Sequence, residues 1–328
     1  MTAPCDTKKR TQLALSLAMW ALAFGLFLGI YGASLLPWTS QWIARQDLQN
    51  WKDHKRRGRL SGAFAGTLNR LTLEGVYQPD FTRKKVYMIG TCNVEDFLDD
   101  TQVPAAQMRD IWMLAFARCD MINLKSIVDW LQRDFGLGKN LAKGSMFVVG
   151  VNADDAAPHN DPFFRTTFEG VGLYDYSKDD VIHTRNLIEP LKYWRLVRGR
   201  TANFIIRMKS LSSTQRMTVP KKIYPDLDDS WVPRQLTAFR QMLDALIATG
   251  ATVKVVFYPT GSWLDTPRRR EIRGKIMDIC QQYKLETLDL SKVAPDNTFM
   301  DDSHLSPDGV KITHPLVYPM IQPAFSEK

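Results

Sequence analysis

The chain has 328 residues, 45% of them hydrophobic and 24% charged, with a net charge of +8. That size and composition admit one large domain or two small ones and exclude general disorder. Much of the basic excess lies at Arg45, Lys52, Lys55, Arg56, Arg57 and Arg59, not along a nucleic-acid reader motif. This points to anionic lipid headgroups and away from nucleic acid.

From Thr11 to Ala44 there is no charged residue. The span Leu13 to Leu36 is long enough for a helix to cross a bilayer, and Trp38 and Trp42 follow it where amphipathic rings favour the interface. Its apolar run exceeds that of a cleaved signal peptide, and Tyr31-Gly32-Ala33 is a poor cleavage site, so an uncleaved anchor is expected. Lys8, Lys9 and Arg10 favour a cytoplasmic N-terminus, whereas the basic run after the span pulls the other way. Charge alone does not set the orientation. Residues 37–83 read as a juxtamembrane connector, with a helix over the polar stretch Gln46 to Arg59.

Beyond residue 84 the pattern alternates between strand and helix, the mark of a parallel sheet with helices on both faces. Val86 to Ile89 reads as a strand, Val94 to Asp100 as the start of a helix, and Met121 to Leu124 as a second strand. Ile127, Leu131 and Phe135 fall at helical spacing. Met146 to Val149 is a third apolar run, closed by Gly150. Residues 157–233 break the rhythm and read as an insertion with helices of its own. Leu236 to Ala248 predicts a helix with Gly250 as its stop, Thr252 to Tyr258 a strand, Arg268 to Lys284 a helix and Leu285 to Leu290 a final strand.

Four cysteines, Cys5, Cys92, Cys119 and Cys280, show neither CxxC spacing nor histidines at zinc-finger intervals. No metal or cofactor is expected. Cys92 ends the first predicted strand and Cys119 begins the second, which argues against a disulfide between them. His159, His183 and His314 lack a partner pattern and read as surface or packing residues.

Three segments carry chemistry, each placed where ligands bind open α/β sheets, outside the carboxyl ends of strands. They are Gly90-Thr91-Cys92-Asn93, Gly150-Val151-Asn152, and Asp301-Asp302-Ser303-His304 followed by Leu305-Ser306-Pro307-Asp308-Gly309. A nucleophile at a strand-to-helix turn is exposed, a nearby histidine can handle its proton, and an acid can orient that histidine. An imidazole beside a thiol also promotes the thiolate.

In these segments the chain resembles the SGNH/GDSL hydrolase superfamily. Asp301-x-x-His304 matches that family's last block, and Gly150-Val151-Asn152 matches its third block, with Ala153 in place of an aspartate. Gly90-Thr91-Cys92 matches the first block by position, with Cys92 where the family has its nucleophilic serine. The second block should hold an oxyanion glycine. The matching stretch, Asn123 to Val128, has none, leaving Ser126 or Val128 to stand there.

The resemblance implies a three-layer α/β/α, flavodoxin-like domain over residues 84–328. It implies Cys92, His304 and Asp301 as catalytic residues, Asn152 with the Cys92 amide as oxyanion donors, and Gly90 and Gly150 as turn glycines. One anchor plus such a domain resembles the accessory proteins of cell-surface polymer acylation. Those work with a multi-spanning membrane-bound O-acyltransferase (MBOAT) or a polymer synthase and export complex, on the polymer outside the cytoplasm. Acyl transfer and ester hydrolysis need the same residues, and both stay open. The rival reading is a non-catalytic assembly subunit, with the 157–233 insertion and its Tyr193, Trp194, Arg195, Arg198 and Arg200 as docking surface.

Overall fold

The computed structural model describes residues 14–26, 29, 85–99, 101–116, 119–139, 141–156, 174–176, 180–184, 230–301 and 303–326. Its centre is a sheet of five parallel strands in the order β2-β1-β3-β6-β7. These are β1 (Val86–Thr91), β2 (Ile111–Phe116), β3 (Met146–Val151), β6 (Thr252–Phe257) and β7 (Glu286–Asp289). β4 (Tyr174–Tyr176) and β5 (Ile182–Thr184) form a second, two-stranded antiparallel sheet, whose Ile182 is buried in the main core.

β1 and β3 are apolar on both faces because both faces are covered. Tyr87, Ile89, Trp112, Leu114, Phe147 and Val149 point to one side. There they meet α2 (Met121–Phe135), α3 (Val232–Ile247) and α4 (Pro267–Gln282). Val86, Met88, Ile111, Met113 and Val148 point to the other. They pack on the turn after β1, on α5 (Pro307–Ile321) and on the short α6 (Pro323–Ser326). A further short helix, α1 (Ala105–Asp110), leads into β2.

The chain steps from β1 out to β2, then returns to place β3 on the other side of β1. The crossovers diverge between β1 and β3, and such a switch point opens a crevice at the carboxyl ends of the strands. The expected parallel α/β sheet flanked by helices is therefore present.

Two expectations need correction. Met121 to Leu124 is not a strand but the first turn of α2. Asp120 caps that helix, accepting the Asn123 amide at 2.8 Å while Asn123 Oδ1 accepts the Asp120 amide at 3.2 Å. The buried Gln235 accepts the Ile122 amide at 3.0 Å. The second strand is instead Ile111–Phe116, whose continuous apolar run is that of a strand buried on both faces. Val94 to Asp100 likewise starts no long helix; Cys92–Phe97 is a 3-10 turn.

Near the N-terminus residues 14–26 are helical, with exposed apolar side chains such as Leu15, Leu17 and Trp20. Among the described residues no helix is long and apolar enough to cross a membrane. The remainder of the expected span to Leu36, the connector 37–83 and most of the insertion, Tyr193 to Arg200 included, lie outside the described residues, as does Cys5.

Candidate active site

β1 ends at Thr91, and the next residue, Cys92, opens the 3-10 turn on the rim of the sheet. The turn can sit tightly on the sheet because residue 90 has no side chain. A Cβ at Gly90 would lie 2.2 Å from Tyr258 Oη and 2.3 Å from Val94 Cγ2. One at Gly150 would lie 2.6 Å from Tyr258 Cε1 and 2.7 Å from Val94 Cγ2. Both glycines therefore make room for Tyr258 and Val94. Tyr258 uses that room to clasp two strands, accepting the Thr91 amide at 2.9 Å and donating to the Gly150 carbonyl at 2.9 Å.

The histidine arrives from the far end of the chain on a loop closed by its own backbone. Ser306 N donates to Thr298 O at 2.7 Å, and Met300 N donates to His304 O at 2.8 Å. Asp301 Oδ1 accepts the amides of Ser303 at 2.9 Å and His304 at 2.8 Å, a local turn of the kind aspartate favours. Asn93, beside Cys92, donates from Nδ2 to the Ser303 carbonyl at 3.0 Å and ties this loop to the first turn.

The result is a chain of three side chains. His304 Nε2 lies 3.0 Å from Cys92 Sγ, and His304 Nδ1 lies 2.9 Å from Asp301 Oδ2. Burial alone would lower the His304 pKa. The hydrogen bond with Asp301, the Cys92 sulfur and the charge of Asp96 outweigh it and push the imidazole up to about 11. Burial would likewise raise Asp301, but the hydrogen bonds from His304 and from the two loop amides hold it down at about 2. The histidine thus keeps its proton through the neutral range, between a carboxylate and a sulfur.

Asn152 stands at the end of β3. Continuing the pairing of Ile89 with Val149 brings it level with Cys92. Its Oδ1 accepts the Ala153 amide at 2.6 Å, while its own amide donates to Asp155 Oδ2 at 2.7 Å. Among the described residues its Nδ2 has no protein partner, and the carboxamide is partly exposed.

Ser126 and Val128 do not stand at the rim. Both lie within α2, and the Ser126 hydroxyl donates to the Ile122 carbonyl at 2.9 Å. β2 ends at Phe116, level with Thr91 of β1, and the described chain resumes at Cys119 and Asp120 before α2. Cys119 therefore follows the second strand instead of beginning it, at the same end of the sheet as Cys92. Neither is in a disulfide, and burial pushes the Cys119 thiol well above its usual range. His183 is exposed and His314 is buried; His314 Nδ1 accepts the Asp99 amide at 3.2 Å.

Asp96 and Tyr258 belong to none of the three motif segments, and Asn93 entered there only as the neighbour of Cys92. Only Tyr258 carried a signal, an amphipathic ring at the carboxyl end of a strand, where its hydroxyl needs a buried partner. A cleft of about 360 Å³ between the starts of α2 and α3, lined in part by Lys125, Asp180, Arg234 and Thr237, includes none of the triad. Among the described residues no group of His, Cys, Asp or Glu is arranged to hold a metal ion. Comparison with protein-family models, with curated proteins and with solved structures returned no match.

Proposed function

We propose that the chain is an SGNH-like acyltransferase or esterase of the cell envelope, anchored by its N-terminal apolar segment, that carries an acyl group on Cys92. One observation supports this above the rest. Cys92, His304 and Asp301, 212 residues apart at the extremes of the set, form a continuous hydrogen-bonded array on the strand rim beside the switch point. A cysteine kept only for packing has no use for a histidine braced by a carboxylate.

With the proton on His304, the sulfur of Cys92 attacks the acyl carbonyl carbon as thiolate. The carbon–oxygen or carbon–sulfur bond of the donor breaks, and Nε2 gives its proton to the departing group. A thioester on Cys92 remains. An acceptor hydroxyl then attacks it, gives its proton to Nε2, and the sulfur leaves as thiolate. Developing negative charge on the carbonyl oxygen is met by the Asn152 side chain and the Cys92 amide; removing one such donor costs about 2.7–4 kcal/mol of transition-state stabilisation in well-studied hydrolases.

Family resemblance extends this reading to a polymer hydroxyl as acceptor and an MBOAT or polymer-export complex as partner, outside the cytoplasm. The absence of a glycine after β2 favours the rival, a non-catalytic assembly subunit. The test is transfer itself. The full chain in detergent, charged from an activated acetyl ester, should acetylate glycerol or an oligosaccharide, and Cys92→Ala should not. A chain that neither transfers nor hydrolyses the ester would leave the assembly subunit as the better account.

A further inference from the structure

Asp96 lies on the same 3-10 turn as Cys92 and is no member of the triad, yet both of its ends are engaged by the catalytic region. Its backbone carbonyl accepts from Thr313 Oγ1 on α5 at 2.8 Å, and Thr313 is fully buried. Its carboxylate Oδ2 accepts the Leu305 amide at 2.9 Å. The catalytic histidine is thus gripped on both sides along the backbone, since Asp301 accepts its own N–H and Asp96 accepts the next one. A partly buried acid pays for its desolvation only through such partners, and an imidazole already served by Asp301 needs no second carboxylate to complete a triad.

We infer that Asp96 is the positioning residue for His304: its carboxyl fixes the peptide that follows the histidine and sets a second negative charge beside the imidazolium, holding Nε2 against the Cys92 sulfur. The inference rests on the acyl-transfer reading of the triad. Burial raises the Asp96 carboxyl to about 7, even though His304 and the Leu305 amide pull it down. Its charge therefore changes within the neutral range. The charged groups that act on it are His304 and Asp301, both on the catalytic loop. Once ionised, Asp96 favours the charged form of His304.

Asp96→Asn keeps an acceptor for the Leu305 amide and loses the charge; Asp96→Ala loses both. The measurement is the rate of iodoacetamide alkylation of Cys92 against pH, read by peptide mass mapping on the full chain in detergent. In the wild type a first rise marks formation of the thiolate–imidazolium pair, and a second marks loss of the His304 proton. In Asp96→Asn the second rise should move to lower pH while the plateau between the two is kept. Asp96→Ala should also lose plateau height, by up to about a hundredfold, because the histidine is displaced. Should the alanine variant not fold, the shift in the asparagine variant still decides. Profiles that coincide with the wild type in the variants that fold would overturn the role of Asp96 and leave the triad standing. A wild-type chain with a single rise near the ordinary thiol value of about 8.5 would overturn the triad reading itself.

Discussion

Asp301 and His304 shift one another in opposite directions, so their contributions to stability fall in different pH windows. Asp301, lowered to about 2, contributes stability that is present above the unfolded value of 3.8 and is lost as pH falls through about 2. His304, raised to about 11, contributes stability that is complete below 6.5 and is lost as pH rises toward 11. Asp301→Asn should therefore lower the thermal midpoint at about pH 5 and converge with the wild type near about pH 2. A gap that is constant across this range would mean that the pair is not formed. Asp96 acts with the reverse sign. Its acid is raised to about 7, so it costs stability as pH rises from 3.8 to about 7, and Asp96→Asn should gain on the wild type across that window and keep the gain above it. Tyr258→Phe removes one acceptor and one donor from a buried site, stranding the Thr91 amide and the Gly150 carbonyl. At about 1–3 kcal/mol for each unsatisfied group, it should be among the costly single changes, measurable by denaturant titration. No loss of stability in that titration would mean that the clasp between β1 and β3 is not formed.

The elements that position the site were legible to different degrees, for physical reasons. β1, β3 and β6 are short, mainly apolar runs, and Gly90, Gly150 and Pro259 mark the neighbourhood of their carboxyl ends, the first two one residue inside the strand. β2 was not legible because its run, Ile111 to Phe116, has no such punctuation, whereas the apolar Met121 to Leu124 imitates a strand. The deciding signal was Asp120, a cap residue three before Asn123. Asp120→Ala should cost about 0.5–2 kcal/mol, in the range of lost N-caps; an unchanged midpoint would contradict the capping box. α5 was hidden by Pro315 and Pro319, which argue against a helix until tertiary packing overrides them. Its C-terminal end is met by Lys254, a buried lysine in the middle of β6 whose Nζ donates to the Met320 carbonyl at 2.9 Å and pairs with Glu286 at 2.8 Å. Lys254→Met should cost about 1.5–3 kcal/mol, as expected for a hydrogen bond from a charged donor. Nothing in the alternation of β6 announces that lysine's partner, which lies 66 residues away.

At the scale of the molecule, the order of strands does the assembling. β1 and β3 become neighbours because the crossovers diverge between them, and this sets Cys92 level with Asn152. The loop before α5 then brings His304 and Asp301 to the same rim. That arrangement was legible because it depends on strand ends and a local Asp-x-x-His turn, both written in short stretches of chain. The supports beneath it, Asp96 on Leu305, Asn93 on Ser303 and Tyr258 under both glycines, are long-range contacts without a local pattern. Acyl transfer as proposed makes Cys92 a nucleophile activated by His304. It is tested most directly by mixing the full chain with an activated acetyl ester at about pH 6, where an ordinary thiol is almost wholly protonated, and locating the adduct by mass mapping. Rapid acetylation is expected at Cys92, with its loss in Cys92→Ala and slowing by about 10²–10⁴-fold in His304→Ala. Acetylation equally fast without His304, or an adduct that persists without Cys92, would contradict it.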